Sequence, residues 1–143
     1  MTSRIFFDTN VIAYVFDKSN PSKRDLAKDV VSSCMRSGAM VVSTQVLQEV
    51  FVVLTGRLKP AMPVDVAAKM MKWLARNEVA IIRPETIQRA VGVLRENRIS
   101  FWDSLIVSCA LESRCEVLFT EDFQDGQVIA GVRISNPLRA RGA

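Results

Sequence analysis

Short apolar runs alternate with segments of helical period along almost the whole chain, and this alternation restricts the fold more than any other feature. The runs cover residues 4–8, 40–43, 79–82, 116–120 and 132–134. Each is too brief for a helix and apolar enough to read as a strand buried on both faces. Between them the period changes. From Ser22 to about Arg36, Leu26, Val30 and Cys34 recur at helical spacing with Ala27 and Val31 alongside, and Gly38 ends the segment. Thr9–Phe16 reads as a short helix. Thr44 is the expected cap of a helix reaching about Gly56 that is apolar almost all round, which implies burial on most faces. Residues 64–76 form a helix with Val66, Met70, Trp73 and Leu74 inward, Glu85–Asn97 a helix capped near Pro84, and Phe101–Ser113 a helix opened by Ser100. Strands that alternate with helices pair in parallel and are covered by helices on both faces. The expected class is therefore α/β, a three-layer sandwich, with all 143 residues in a single domain. The tail Arg139–Ala143 is expected to fray.

Composition narrows the chemistry mainly by what is missing. The chain contains no histidine. That excludes Ser-His-Asp and Cys-His nucleophilic sites and every zinc site that needs imidazole. Acid–base and metal chemistry is left to Asp, Glu, Lys, Tyr and Cys. Three cysteines, Cys34, Cys109 and Cys115, are odd in number and lack the spacing of a metal or redox motif. They read as reduced thiols of a cytoplasmic protein. No signal peptide is recognisable before Asp8, and no apolar stretch approaches the length of a membrane span. The net charge of +4 carries 13 Arg against 6 Lys. Arginine favours bidentate phosphate contacts, so a polyanion is the partner this bias suggests.

Of the fifteen acidic residues, four stand where a charge is costly. Asp8 ends the run Ile5-Phe6-Phe7, at the edge of the core, where an unpaired carboxylate costs several kcal/mol, by a rough measure, and needs a cation, a proton or a helix to cap. Glu49 lies in the most apolar helix, among Val46, Val50 and Val53. It is either a boundary residue facing solvent or part of a site. Asp103 follows Ser100 at capping-box spacing and shares a face with Ile106, Val107 and Ala110. Asp122 follows the strand at 116–120 as Asp8 follows the first. Glu121 and Asp125 compete with it for the same role.

Ligands of open parallel sheets bind beyond the carboxyl ends of the strands, where strand order reverses. If the first and fourth strands are neighbours, Asp8 and Asp122 meet there, with Glu49 and Asp103 leaning over from helices. Like charges about 4 Å apart repel by roughly 4 kcal/mol at an effective dielectric of 20, so such a cluster requires a bound cation or raised pKa values. All-oxygen ligands select Mg²⁺ or Mn²⁺. Asn10 and Thr120 are placed to orient those ligands. Arg57, Lys59, Arg95 and Arg98 are candidates for phosphate contacts.

Four stretches, Asp8-Thr9-Asn10, Ser43-Thr44-Gln45-Val46-Leu47-Gln48-Glu49, Phe101-Trp102-Asp103 and Leu118-Phe119-Thr120-Glu121-Asp122, give the chain its resemblance to PIN-domain ribonucleases. The likeness is closest to the toxin subunits (VapC type) of bacterial toxin–antitoxin pairs, in order and over the whole length. The resemblance implies a PIN-like fold with a sheet of about five mostly parallel strands. It implies a Mg²⁺- or Mn²⁺-dependent endoribonuclease acting on RNA, a homodimer, and inhibition by a small antitoxin protein. It assigns the acidic quartet to Asp8, Glu49, Asp103 and Asp122 and the supporting polar positions to Asn10 and Thr120. The alternative is the same fold with an inactive site, a module that binds RNA or protein. A phosphatase of the Asp-x-Asp type is disfavoured because Asn10 stands where the second Asp belongs. A receiver domain is disfavoured because Ser43 and Arg83, at the ends of the middle strands, supply no phospho-acceptor.

Overall fold

The computed structural model describes residues 3–139. Its elements, in chain order, are β1 (Ile5–Phe7), α1 (Thr9–Tyr14), α2 (Pro21–Ser37), β2 (Met40–Ser43), α3 (Thr44–Val52), a π-helical turn (Val53–Arg57), α4 (Val64–Leu74), β3 (Glu78–Ala80), α5 (Pro84–Glu96), α6 (Phe101–Glu112), β4 (Val117–Phe119), β5 (Val128–Ile129) and β6 (Val132–Ser135). The strands form one sheet in the order β3-β2-β1-β4-β6-β5. Five run parallel, and β5 pairs antiparallel with β6. Strand order reverses between β1 and β4, which are neighbours in register with Phe7 opposite Phe119.

The strands are continuously apolar because both faces of the sheet are covered. Phe6, Phe7, Val42, Leu118 and Ile134 are fully buried, and each such side chain contributes about 1.5–3 kcal/mol relative to leaving it in water. Phe7 and Phe119 meet edge to face at 5.2 Å, a favoured aromatic geometry. Helix α6 packs on β2, β4 and β6 and carries α5 on it, while α2 and α3 pack on β2 and α1 joins them. Residues Ser104–Ala110 of α6 are all buried. Two hydroxyls tie α5 to α6: Thr86 donates to Glu112 at 2.9 Å, and Ser108 donates to the Thr86 carbonyl at 2.8 Å.

Several expectations need correction. The sheet has a sixth strand, β5, joined to β6 by a two-residue turn in which Ala130 (φ 51°) and Gly131 (φ 87°) are both left-handed. A tight hairpin turn requires that conformation, but Ala is an unusual residue to supply it, so the usual Asn-Gly or Asp-Gly signature is absent. The helix expected to reach Gly56 is α-helical only to Val52 and then widens, with Leu58 N donating to the Val53 carbonyl at 2.9 Å. Thr55 Oγ1 donates to the Phe51 carbonyl at 2.8 Å, competing with the helical ladder, and Gly56 gives that ladder little support. Nor is this helix buried on most faces, since Gln48, Glu49 and Val52 are exposed. Its cap is Ser43, whose hydroxyl accepts from Val46 N, rather than Thr44. In α4 Leu74 is buried as expected, joined by Ala67, and Met70 and Trp73 pack half-buried against the core, but Val66 is exposed. Arg139, the first residue of the expected tail, donates from its exposed guanidinium to Asp125 at 3.0 Å. Residues 140–143 of the expected tail lie outside the described residues. Among the described residues no helix is long and apolar enough to cross a membrane.

Candidate active site

The carboxyl ends of β1 and β4 open into a cavity of about 510 Å³, lined by Asp8, Glu49, Glu121 and Asp122 together with Thr9, Asn10 and Tyr14. Asp8 forms its floor. It is 5% exposed and serves as the N-cap of α1: Oδ1 accepts from Thr9 N at 2.7 Å and Oδ2 from Thr120 Oγ1 at 2.9 Å. Its backbone N–H continues the sheet ladder by donating to the Phe119 carbonyl. The capping and site readings of Asp8 thus describe one geometry, because a helix that starts where the strand stops must cap at the crevice.

Burial pushes the Asp8 carboxyl up to about 6. The hydrogen bonds from Thr120 and Thr9 oppose the rise, and the charges of Asp122 and Glu49 add to it. Asp122 is more exposed, yet its carboxyl is also raised, first by partial burial and then by the charges of Asp103 and Glu121, with Asn10 opposing. The four sequence candidates therefore belong to one electrostatic neighbourhood. Three line the cavity. The fourth, Asp103, does not line it; it stands in the first turn of α6, where Ser100 Oγ accepts from its backbone N–H, and it reaches the site through its effect on Asp122.

Thr120 joins the parts. It is fully buried; its Oγ1 donates to Asp8, accepts from Asp122 N at 3.1 Å and lies 3.4 Å from Asn10 Nδ2. Asn10 Oδ1 in turn accepts from Glu121 N at 3.4 Å. A buried hydroxyl so placed fixes the Asp8 carboxylate and the loop carrying Asp122 relative to each other.

The two competitors for the Asp122 position are otherwise engaged. Asp125 accepts from Asn136 N and from Arg139 and so staples the loop rather than facing the cavity. Glu121 lines the cavity, but both its oxygens are taken, by Tyr14 and by Lys23. Of the four basic candidates, Arg57, at the end of the π-helical turn, and Lys59, just beyond it, line the cavity, whereas Arg95 and Arg98 do not. Sequence reasoning placed those two near the crevice, but they lie at and just beyond the C-terminal end of α5. It also missed Gln45, 7% exposed, which donates to Glu49 Oε1 at 2.7 Å, and the pairing of Tyr14 and Lys23 with Glu121. Gln45 precedes Glu49 by one helical turn, the spacing at which such side chains meet.

Among the described residues, no three acidic or cysteine side chains stand close enough to hold one metal ion jointly. The acids line shared walls instead of closing on a point: Asp8 is held by Thr9 and Thr120, Glu49 by Gln45, and Glu121 by Tyr14 and Lys23. The donor set still suits a hard divalent cation. It is all oxygen, burial first and the charges of Asp122 and Glu49 second hold its Asp8 carboxyl above the usual range, and it includes a buried Thr9 Oγ1 with no hydrogen-bond partner. Magnesium commonly takes one or two protein carboxylates and fills its other positions with water and substrate phosphate.

Comparison with known proteins identifies the family and the fold. The PIN domain family model matches residues 5–125. The chain belongs to the PIN domain family. No curated protein matches it in sequence. Several solved structures share its fold. A toxin–antitoxin complex from Klebsiella pneumoniae superposes with a TM-score of 0.70 at 22% identity, covering 93% of this chain and 97% of that one. VapC20 of Mycobacterium tuberculosis, described as a toxin cleaving the sarcin–ricin loop, gives 0.67 at 22% identity over 90% and 98%. DNA-bound VapBC from Salmonella typhimurium gives 0.67 at 17% identity over 95% and 99%.

Proposed function

We propose that this PIN chain is a single-domain endoribonuclease dependent on Mg²⁺ or Mn²⁺, and the toxin of a toxin–antitoxin pair. It would act in the cytoplasm as a homodimer and be held inactive by a small antitoxin protein. The observation that carries the reading is the assembly of Asp8, Glu49 and Asp122 around one cavity at the switch point of the sheet. The solved relatives support it, since they are a toxin–antitoxin complex, an RNA-cleaving toxin and a VapBC complex on DNA.

In this reading Asp8 and Asp122 hold the cation, Glu49 faces them from α3, and Asp103 adds negative charge from α6. A bound divalent ion supplies charge neutralisation at the phosphodiester and an activated water. Thr120 and Asn10 keep the carboxylates oriented, and Gln45 does the same for Glu49. Arg57 and Lys59, on the same cavity, take the phosphates of a single-stranded RNA. A second reading, a binding module with an inactive site, is favoured by the finding that no three acids stand within joint reach of one ion.

The two readings separate in one assay. Purified chain incubated with single-stranded RNA is expected to cleave it on addition of millimolar Mg²⁺ or Mn²⁺, to stop in chelator, and to bind RNA less tightly as salt rises, since phosphate contacts release counterions. Binding without cleavage at any metal concentration supports the module instead.

A further inference from the structure

Glu121 and Asp122 are consecutive, both line the cavity, and both sit on a loop without regular structure. Either could serve a cation, and two adjacent free carboxylates would compete for it. The structure resolves that competition from behind. Lys23, on α2, places Nζ 2.9 Å from Glu121 Oε2, and the Tyr14 hydroxyl donates to Glu121 Oε1 at 2.9 Å. The same Nζ lies 3.4 Å from the Tyr14 hydroxyl and 4.9 Å from its ring centre. The ammonium is thus held by a carboxylate, a phenol oxygen and an aromatic face at once. That arrangement differs from a lone surface pair, which holds little geometry. Lys23 does not line the cavity.

We propose that Lys23 is a positioning residue: by neutralising and fixing Glu121 it removes one carboxylate from the acidic wall, leaves Asp122 as the ligand of that loop, and so sets how tightly the cavity holds a divalent cation. The inference rests on the metal-dependent reading above. Its consequence is electrostatic and carries a sign. Removing Lys23 frees a negative charge beside the cavity and should tighten cation binding, while drawing the ion toward Glu121, where it is wrong for cleavage. Removing the charge of Glu121 leaves Lys23 unpaired and should weaken cation binding.

The test is calorimetric titration of Mn²⁺ into the full chain, with RNA cleavage followed in parallel. Lys23→Met is expected to bind Mn²⁺ about threefold more tightly, the scale of one partly exposed charge pair, yet to cleave more slowly at saturating metal. Glu121→Gln is expected to bind about threefold more weakly. The double variant and Lys23→Arg are expected to return close to the wild-type affinity. A brace that matters only for stability would move both single variants the same way, and that result, or wild-type affinity in both, overturns the role of Lys23 alone. A wild-type chain that binds no Mn²⁺ overturns the metal reading itself and this inference with it.

Discussion

Asp8→Asn is expected to lose metal-dependent RNA cleavage, by about a thousandfold or more, the scale seen when a charged group central to transition-state stabilisation is removed. The substitution is nearly isosteric. The amide oxygen can still accept from Thr9 N, so the cap is kept, while the contact to Thr120 Oγ1, which already accepts from Asp122 N, is weakened. The fold and the cap of α1 therefore survive, and what disappears is the one fully buried charge of the cavity. Glu49, Asp103 and Asp122 are all more exposed than Asp8, so none can replace it at the floor. A gel assay of RNA cleavage across a Mg²⁺ series, with circular dichroism confirming the fold, checks this. Near-wild-type cleavage by the variant would remove Asp8 from the site.

The same variant is expected to be more stable than the wild type at neutral pH in chelator. The folded Asp8 carboxyl titrates at about 6, against 3.8 for the unperturbed group. A carboxyl raised in the folded state favours folding fully while it is protonated, below about pH 4. That contribution is lost as pH rises through about 6. Above pH 6 the ionised, buried Asp8 costs the fold about 2–3 kcal/mol, by the linkage between pKa and stability. Asparagine carries no such cost. The variant should melt roughly 6–10 °C above the wild type at pH 7.5, with the gap closing toward pH 4. Saturating Mg²⁺ should narrow the gap as well, by stabilising the wild type and not the variant. Opposite effects on activity and stability are the signature of a strained functional carboxylate rather than a structural cap. Equal melting temperatures at pH 7.5 would mean that Asp8 is not destabilising when ionised.

The parallel sheet was legible because its strands are continuous apolar runs, and five of its six were anticipated at nearly the observed bounds. The sixth escaped because two residues, Val128–Ile129, make no run and their turn uses Ala130. Helix α3 was misjudged for a different reason. Composition reports how apolar a segment is, not which side meets the sheet, and Val52 is exposed despite its neighbours. Asp8 and Asp122 could be singled out because each follows a buried strand, at the edge of the core, where a charge is costly. Glu121 was harder to separate from Asp122, since the residues that distinguish them, Tyr14 and Lys23, lie about a hundred positions earlier in the chain. Arg95 and Arg98 could not be distinguished from Arg57 and Lys59 by composition; the fold separates them by bringing the segment after α3, and not the end of α5, to the cavity.

In the proposed reading the carboxylates at the junction of β1 and β4 take a divalent cation. Crystals of the chain soaked in Mn²⁺ and measured at the manganese absorption edge test it without recourse to activity. An anomalous peak within roughly 2.0–2.5 Å of an Asp8 oxygen and of Asp122 or Glu49 is the expected result. A well-ordered cavity with no peak at saturating Mn²⁺, or manganese bound only elsewhere on the surface, would contradict it.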